Sequence, residues 1–185
     1  MTVTAETAEK KTTTFDEQKM RGMKARVQQN SQVINRLVDS IIGKYAAPLD
    51  DYFTKVKELI EFHDTLSNED IERIVLQLPV YMYFAAEALE TLGVEGDNAK
   101  AVKSEAFNTV YLEMEGTIQD KTKAAELQTF SEEMLETAYV RAYKKLKIQV
   151  EKSEHLFTGA KKVMDKRIRE LDLHHMDRLN NGRRN

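Results

Sequence analysis

The stretch SEEMLETAYVRAYKKLKIQVEKSEHLFTGAKKVMDKRIRELDL, residues 131–173, decides the fold. Its apolar or small positions Leu135, Ala138, Ala142, Leu146, Val150, Ser153, Phe157, Ala160, Met164, Ile168 and Leu171 step by 3 or 4, the period of an α-helix with one apolar face. Between Gly116 and Gly182 the chain has no proline and a single glycine, so nothing local interrupts that period. The spacing predicts one long helix over about 117–173. From Asp120 to Asp172 its rise is roughly 80 Å, several times the radius of a small domain. A stripe of that length exceeds what a monomer of this size covers. Leu135, Ala142, Leu146, Val150, Phe157, Met164, Ile168 and Leu171 are therefore expected to pair with a second copy, in coiled-coil fashion.

Working outward, the same periodicity returns. Ser31 is a good N-cap for a helix along Val33, Ile34, Leu37, Val38, Ile41 and Ile42, with Gly43 as its stop. Pro48 suits a first helical turn, and Leu49, Tyr52, Phe53, Val56, Leu59, Ile60 and His63 mark a second helix. Ser67 and Asp70 form a capping-box pattern before a third helix along Ile71, Ile74, Val75, Leu78, Met82, Ala85, Ala86, Leu89 and Leu92. Pro79 is expected to kink it near Leu76, and Gly93 to end it. Val94–Asp97 reads as a loop, after which Ala101, Val102, Phe107, Val110, Tyr111 and Met114 carry a helix to Gly116. Phe84, Leu89, Phe107, Tyr111 and Met114 are expected in the core.

The fold class expected is all-α, with helical hairpins or a bundle and one long C-terminal helix. Seven glycines and two prolines in 185 residues are too few for the turns of a sandwich or barrel. Without cysteine there is no disulfide framework, zinc ribbon or thiol nucleophile. Residues 1–30 read as a flexible basic arm, because Met1–Thr14 has almost no large apolar residue to repay its ordering entropy. Within that arm Phe15, Met20 and Met23, among Lys19, Arg21, Lys24 and Arg26, outline a basic amphipathic helix that a partner would order. Residues 31–173 make the helical domain, and 174–185 a basic tail. No apolar run is long enough to cross a bilayer, and the first thirty residues lack a signal-peptide core, so a cytoplasmic protein without membrane contact is expected.

The formal net charge of -3 conceals a strong polarity: residues 1–30 carry +2, 31–140 carry -12 and 141–185 carry +7. Either end suits a charged partner.

Chemistry is sparse. There is no GxxxxGK[ST] loop, GxGxxG, GxSxG elbow or HExxH, so neither catalytic residues nor a cofactor is expected. Glu151, Glu154 and His155 are only a fragment of a di-iron ligand set. His174 and His175, near Asp172 and Asp177, point about 100° apart on a helix and do not converge on a metal. Asp50 with Asp51, and His63 with Asp64, read as charges complementing helix dipoles.

The strongest functional signal is Arg141, Lys144, Lys145, Lys147, Lys152, Lys161, Lys162, Lys166, Arg167 and Arg169, with Tyr139 and Tyr143 close by. Cations that neutralise phosphates, beside aromatics on which bases stack, are what a nonspecific single-strand binder needs. Glu151, Glu154, Asp165 and Glu170 interleave with them, so a solvated helix face fits the same residues. The acidic middle section suits instead a helical interaction protein such as a phage scaffold, adaptor or host-factor inhibitor.

A family pattern runs through Ala101–Ile168. Lys103-Ser104-Glu105-Ala106 leads to Tyr111, a break follows at Gly116, and the long helix contains Ala138-Tyr139-Val140-Arg141-Ala142-Tyr143-Lys144-Lys145-Leu146 and then Asp165-Lys166-Arg167-Ile168. This order resembles the UvsY-type recombination mediator proteins of tailed phages, small helical proteins whose later helices mediate oligomerisation. The resemblance implies a phage-encoded homo-oligomer in the host cytoplasm that binds single-stranded DNA, with a recombinase or a single-strand-binding protein as further partner. That family carries basic residues and an aromatic pair before the break. The matching positions here keep Lys100, Lys103 and Tyr111 but add Glu105, Glu113 and Glu115, which moves the expected DNA contact to Lys144–Arg169 or the N-terminal arm.

Overall fold

The structure, a computed structural model, describes residues 3–61 and 66–182, with side chains at 19–58, 61 and 66–176. It consists of α1 (Val3–Glu61), α2 (Asn68–Glu113), α3 (Ile118–Gln128) and α4 (Phe130–Gly182), with no strand among the described residues. The all-α expectation holds.

Local chemistry sets the boundaries after α1. Ser67 caps α2: its hydroxyl accepts from the Asp70 N–H at 3.1 Å, while the Asp70 carboxylate accepts from the Ser67 N–H at 3.2 Å. That reciprocal pair satisfies two otherwise orphaned donors. Gly116, with φ of +126°, turns the chain after α2, a conformation that a Cβ would oppose. Thr117 then caps α3 by accepting from the Asp120 N–H. At Thr129 the helix is interrupted, and its hydroxyl donates to the Ala125 carbonyl at 2.8 Å.

Three long helices run up, down and up. Tyr52 on α1 donates to Gln77 on α2 at 2.7 Å, while the Arg167 guanidinium on α4 reaches Asn68 at the start of α2 at 2.6 Å. At the far end of α2, Lys103 meets Glu136, near the start of α4, at 3.1 Å, so α2 and α4 are antiparallel. The Asp39–Lys145 and Asp50–Gln149 contacts make α1 parallel to α4. The core lies along this three-helix seam, from Val38, Ile42 and Leu49 through Ile71 and Leu78 to Leu146. Much of it is small: Ala46, Ala85, Ala88, Ala138, Ala142, Ala160 and Ser153 are buried, which lets the helices approach closely. On α2 the buried positions Ile71, Leu78, Ala85, Leu92 and Ala99 recur every 7 residues, and on α4 Leu146, Ser153 and Ala160 do the same.

Several sequence expectations are corrected by this arrangement. α1 includes residues 3–30, so Ser31 lies within a helix and caps nothing. Gly43 and Pro48 lie inside α1, and Gly93 and the expected loop Val94–Asp97 lie inside α2. Buried neighbours on either side, Ile42, Ala46 and Leu49 in α1 and Leu92 and Ala99 in α2, hold these segments helical against their propensity. The long helix is split at Thr129 into α3 and α4, and α4 continues to Gly182 through most of the expected tail. α2 passes through Pro79 without a break, which leaves the expected kink near Leu76 uncontradicted.

The α4 stripe finds most of its cover within the chain. α1 and α2, uninterrupted, are 59 and 46 residues long, enough to cover it within one chain. Ala142 and Leu146 are fully buried against them, and Val150, Phe157 and Met164 pack on the same core. Only Leu135, Ile168 and Leu171 of the expected self-association set remain exposed. Phe84, expected in the core, is 53% exposed, whereas Leu89 packs on the core and Phe107 stacks on Tyr111 with centroids 6.2 Å apart. His63 and Asp64 lie outside the described residues.

Candidate nucleic-acid interface

The twelve residues singled out as nucleic-acid contacts all lie on α4, and the structure divides them. The core stripe occupies one side of the helix, so the cations spread around the remainder. Lys144 and Lys162 are 18 residues apart, a whole number of helical turns, and Arg169 follows two turns later. These three therefore lie on one line facing away from the core, spanning about 37 Å of helix. Arg141 and Lys152 flank that line on one side, and Lys147 and Lys161 on the other; all seven side chains are exposed and make no ion pair among the described residues.

The other three cations have work within the chain. Lys145 Nζ lies 2.8 Å from Asp39 Oδ1 on α1. Arg167 donates to Asn68 Oδ1 and to the Leu66 carbonyl, both at 2.6 Å, bracing the chain as it enters α2. Lys166 makes a looser i,i+4 contact with Glu170 at 3.7 Å. Lys145 and Arg167 were indistinguishable in sequence from their free neighbours, because their partners stand 106 and about 100 positions away.

The two tyrosines also part. Tyr139 is half-buried, its Cβ 3.9 Å from where a Cβ on Gly96 would sit, and serves packing. Tyr143 is exposed at the mouth of a groove between α2 and α4 with a volume of about 430 Å³. Gly93 and Gly96 open that groove, Lys100 and Lys144 border it, and Asp97 and Glu136 temper its charge. Lys100 on α2 thus stands beside the α4 line. Lys103 does not join it: Glu136 and Glu133 hold its ammonium at 3.1 and 3.8 Å, and the hydrogen bond to Glu136 raises its pKa above the ordinary lysine value.

On the opposite side of the bundle, α2 presents Leu76, Val80, Tyr83 and Phe84 to solvent, each more than half exposed. Their i, i+4, i+7 and i+8 spacing runs along the face turned away from Ile71, Ile74 and Leu78. A second apolar face within one helix was the available sequence signal for this patch.

Among the described residues no three histidine, cysteine or carboxylate side chains gather as a metal site. Glu151, Glu154, His155, His174 and His175 are all exposed on α4. No helix among the described residues is long and apolar enough to cross a membrane. The chain matches no protein-family model, no curated protein and no solved structure.

Proposed function

We propose that this chain is a non-enzymatic accessory protein that binds single-stranded nucleic acid along the outer face of α4, as a recombination mediator does. The observation that carries this reading is the line Lys144, Lys162 and Arg169 with its flanking cations, seven exposed basic side chains left unpaired among the described residues. Such a surface neutralises successive phosphates without reading sequence. Tyr143 supplies one exposed aromatic for base stacking. The UvsY-type pattern over Ala101–Ile168 adds a phage origin, self-association, and a recombinase or single-strand-binding protein as further partners.

Fluorescence anisotropy with a labelled single-stranded oligonucleotide tests it. Binding is expected at low salt and should weaken steeply as salt rises. Replacing Lys144, Lys162 and Arg169 with glutamate should reduce affinity at least about tenfold and flatten the slope by about 0.7 for each lost phosphate contact. Alanine at Lys145, already held by Asp39, should change binding far less. Absence of binding at low salt, or binding indifferent to salt, refutes the reading.

A second reading, a helical scaffold, adaptor or host-factor inhibitor, is favoured by the exposed apolar side chains of α2 and by the seven carboxylates against one arginine between Glu69 and Asp97. Stoichiometric recovery of one protein from nuclease-treated lysate, abolished by replacing Val80 and Tyr83 with serine, is the result that supports it.

A further inference from the structure

Two exposed apolar faces of this chain complement each other in spacing and in charge. The first is the projecting part of α1, where Met20, Met23 and Val27 are 52%, 52% and 65% exposed. They continue the face that farther along α1 becomes the core stripe at Val38 and Ile42, but every described side chain from Lys19 to Gln29 is exposed. This segment carries Lys19, Arg21, Lys24 and Arg26 and no carboxylate through Asn30. The second face is the outer stripe of α2, Leu76, Val80, Tyr83 and Phe84. It lies on a helix whose Glu69–Asp97 segment has seven carboxylates and Arg73 as its sole cation.

The spans match. Met20 and Val27, like Leu76 and Tyr83, are 7 positions apart, two turns, with apolar side chains at intervals of 3 or 4 as in a helix–helix seam. The two faces cannot meet within one molecule. Tyr52 lies against Gln77 and Tyr81, fixing the stripe at that level of α1, and Val27 is 25 residues farther up the same helix. That separation is on the order of 40 Å.

We infer that the basic amphipathic segment Lys19–Asn30 of one copy docks on the acidic-flanked stripe Leu76–Phe84 of a second copy, and that the second copy returns the same contact. A reciprocal exchange closes as a twofold dimer and covers both apolar faces at once. Glu87 and Glu90 stand beside the stripe, and the incoming apolar face is flanked by Lys24 on one side and by Lys19 and Arg26 on the other, which adds charge complementarity to apolar burial. The inference concerns self-association alone and stands apart from the nucleic-acid reading of α4. It relocates the self-contact expected on α4 to α1 and α2.

The test is the mass of the full chain in solution, by sedimentation velocity across a concentration series. The wild-type protein is expected to dimerise. Met20→Ser with Val27→Ser, and separately Val80→Ser with Tyr83→Ser, should each raise the dimer dissociation constant at least about tenfold, or about 1.4 kcal/mol. All four side chains are exposed, so circular dichroism should show the wild-type helix content in both variants. An equimolar mixture of the two variants should associate more tightly than either alone, because it retains one intact segment and one intact stripe. Glutamate at Lys144, Lys162 and Arg169 should leave the mass unchanged whatever it does to nucleic-acid binding. A monomeric wild type, a dimer indifferent to either pair, or a mixture no tighter than its components overturns the inference.

Discussion

Gln149 on α4 donates its side-chain amide to both carboxylate oxygens of Asp50 on α1, at 2.8 and 2.7 Å, clamping the first long helix to the last across 99 positions of sequence. Gln149 is buried, and its Oε1 has no partner. Removing one partner of a buried polar contact strands the other, whereas replacing the buried member with an apolar side chain of similar shape removes the polar burden altogether. Asp50→Ala should therefore destabilise the bundle by about 1–3 kcal/mol, and Gln149→Met by much less. Urea denaturation of the two variants checks this, and equal losses in both would contradict it.

Leu146 and Ala142 occupy the fully buried seam, whereas Leu171, on the same sequence stripe, is 62% exposed. Leu146→Ala should cost about 2–5 kcal/mol through the cavity it leaves. Ala142→Leu should cost about 1–3 kcal/mol by forcing the close-packed helices apart. Leu171→Ala should stay within about 0.5 kcal/mol. Thermal unfolding of the three proteins at equal concentration measures the order, and a large effect at Leu171 would restore α4 as a contact between copies.

Gly93 and Gly116 have opposite requirements. A Cβ at Gly93 meets nothing within 4 Å on a helical backbone, so Gly93→Ala should stabilise by about 0.5–1 kcal/mol. Gly116 has φ of +126°, and Gly116→Ala should destabilise by more than about 1 kcal/mol. Denaturation midpoints with unchanged slopes would establish both, and destabilisation at Gly93 would contradict its helical placement.

Ser67 lowers the pKa of Asp70 below the ordinary aspartate value, first through the hydroxyl and then through the backbone N–H. A carboxylate whose folded pKa is depressed contributes stability above its unfolded pKa, near 4, and loses it as pH falls through the folded value. Asp70→Asn should thus lower the melting temperature at neutral pH, and the difference from wild type should shrink in acid below the aspartate range. Melting curves across that interval test the sign; a difference that grows on acidification contradicts it. The carboxylate is at the surface, so the effect should be modest.

The capping box at Ser67, the break at Gly116 and the α4 stripe were legible because each depends on residues within a few positions of one another. The continuity of α1 through Gly43 and Pro48, and of α2 through Gly93 and Gly96, was not. Glycine and proline weaken a helix locally, but the burial of Ile42, Leu49, Leu92 and Ala99 outweighs that cost, and burial depends on helices distant in sequence. Helices as short as those local breaks imply would leave the α4 stripe without an intramolecular partner; the long α1 and α2 supply one. In the candidate interface the cation types were visible, but not which were engaged. Lys145 and Arg167 are distinguished from Lys144 and Lys162 only by Asp39, Asn68 and Leu66, which the fold carries to them.

By itself the sequence determined that this chain is helical, that its charge is segregated, and where its strongest local caps and breaks fall, because periodicity, composition and capping act over one or two turns. Only the tertiary structure decided which apolar stripes cover one another. The long-range packing of three nearly continuous helices buries Ala142 and Leu146 inside one chain, and leaves Met20, Val27, Val80 and Tyr83 among the apolar side chains open to solvent on α1 and α2.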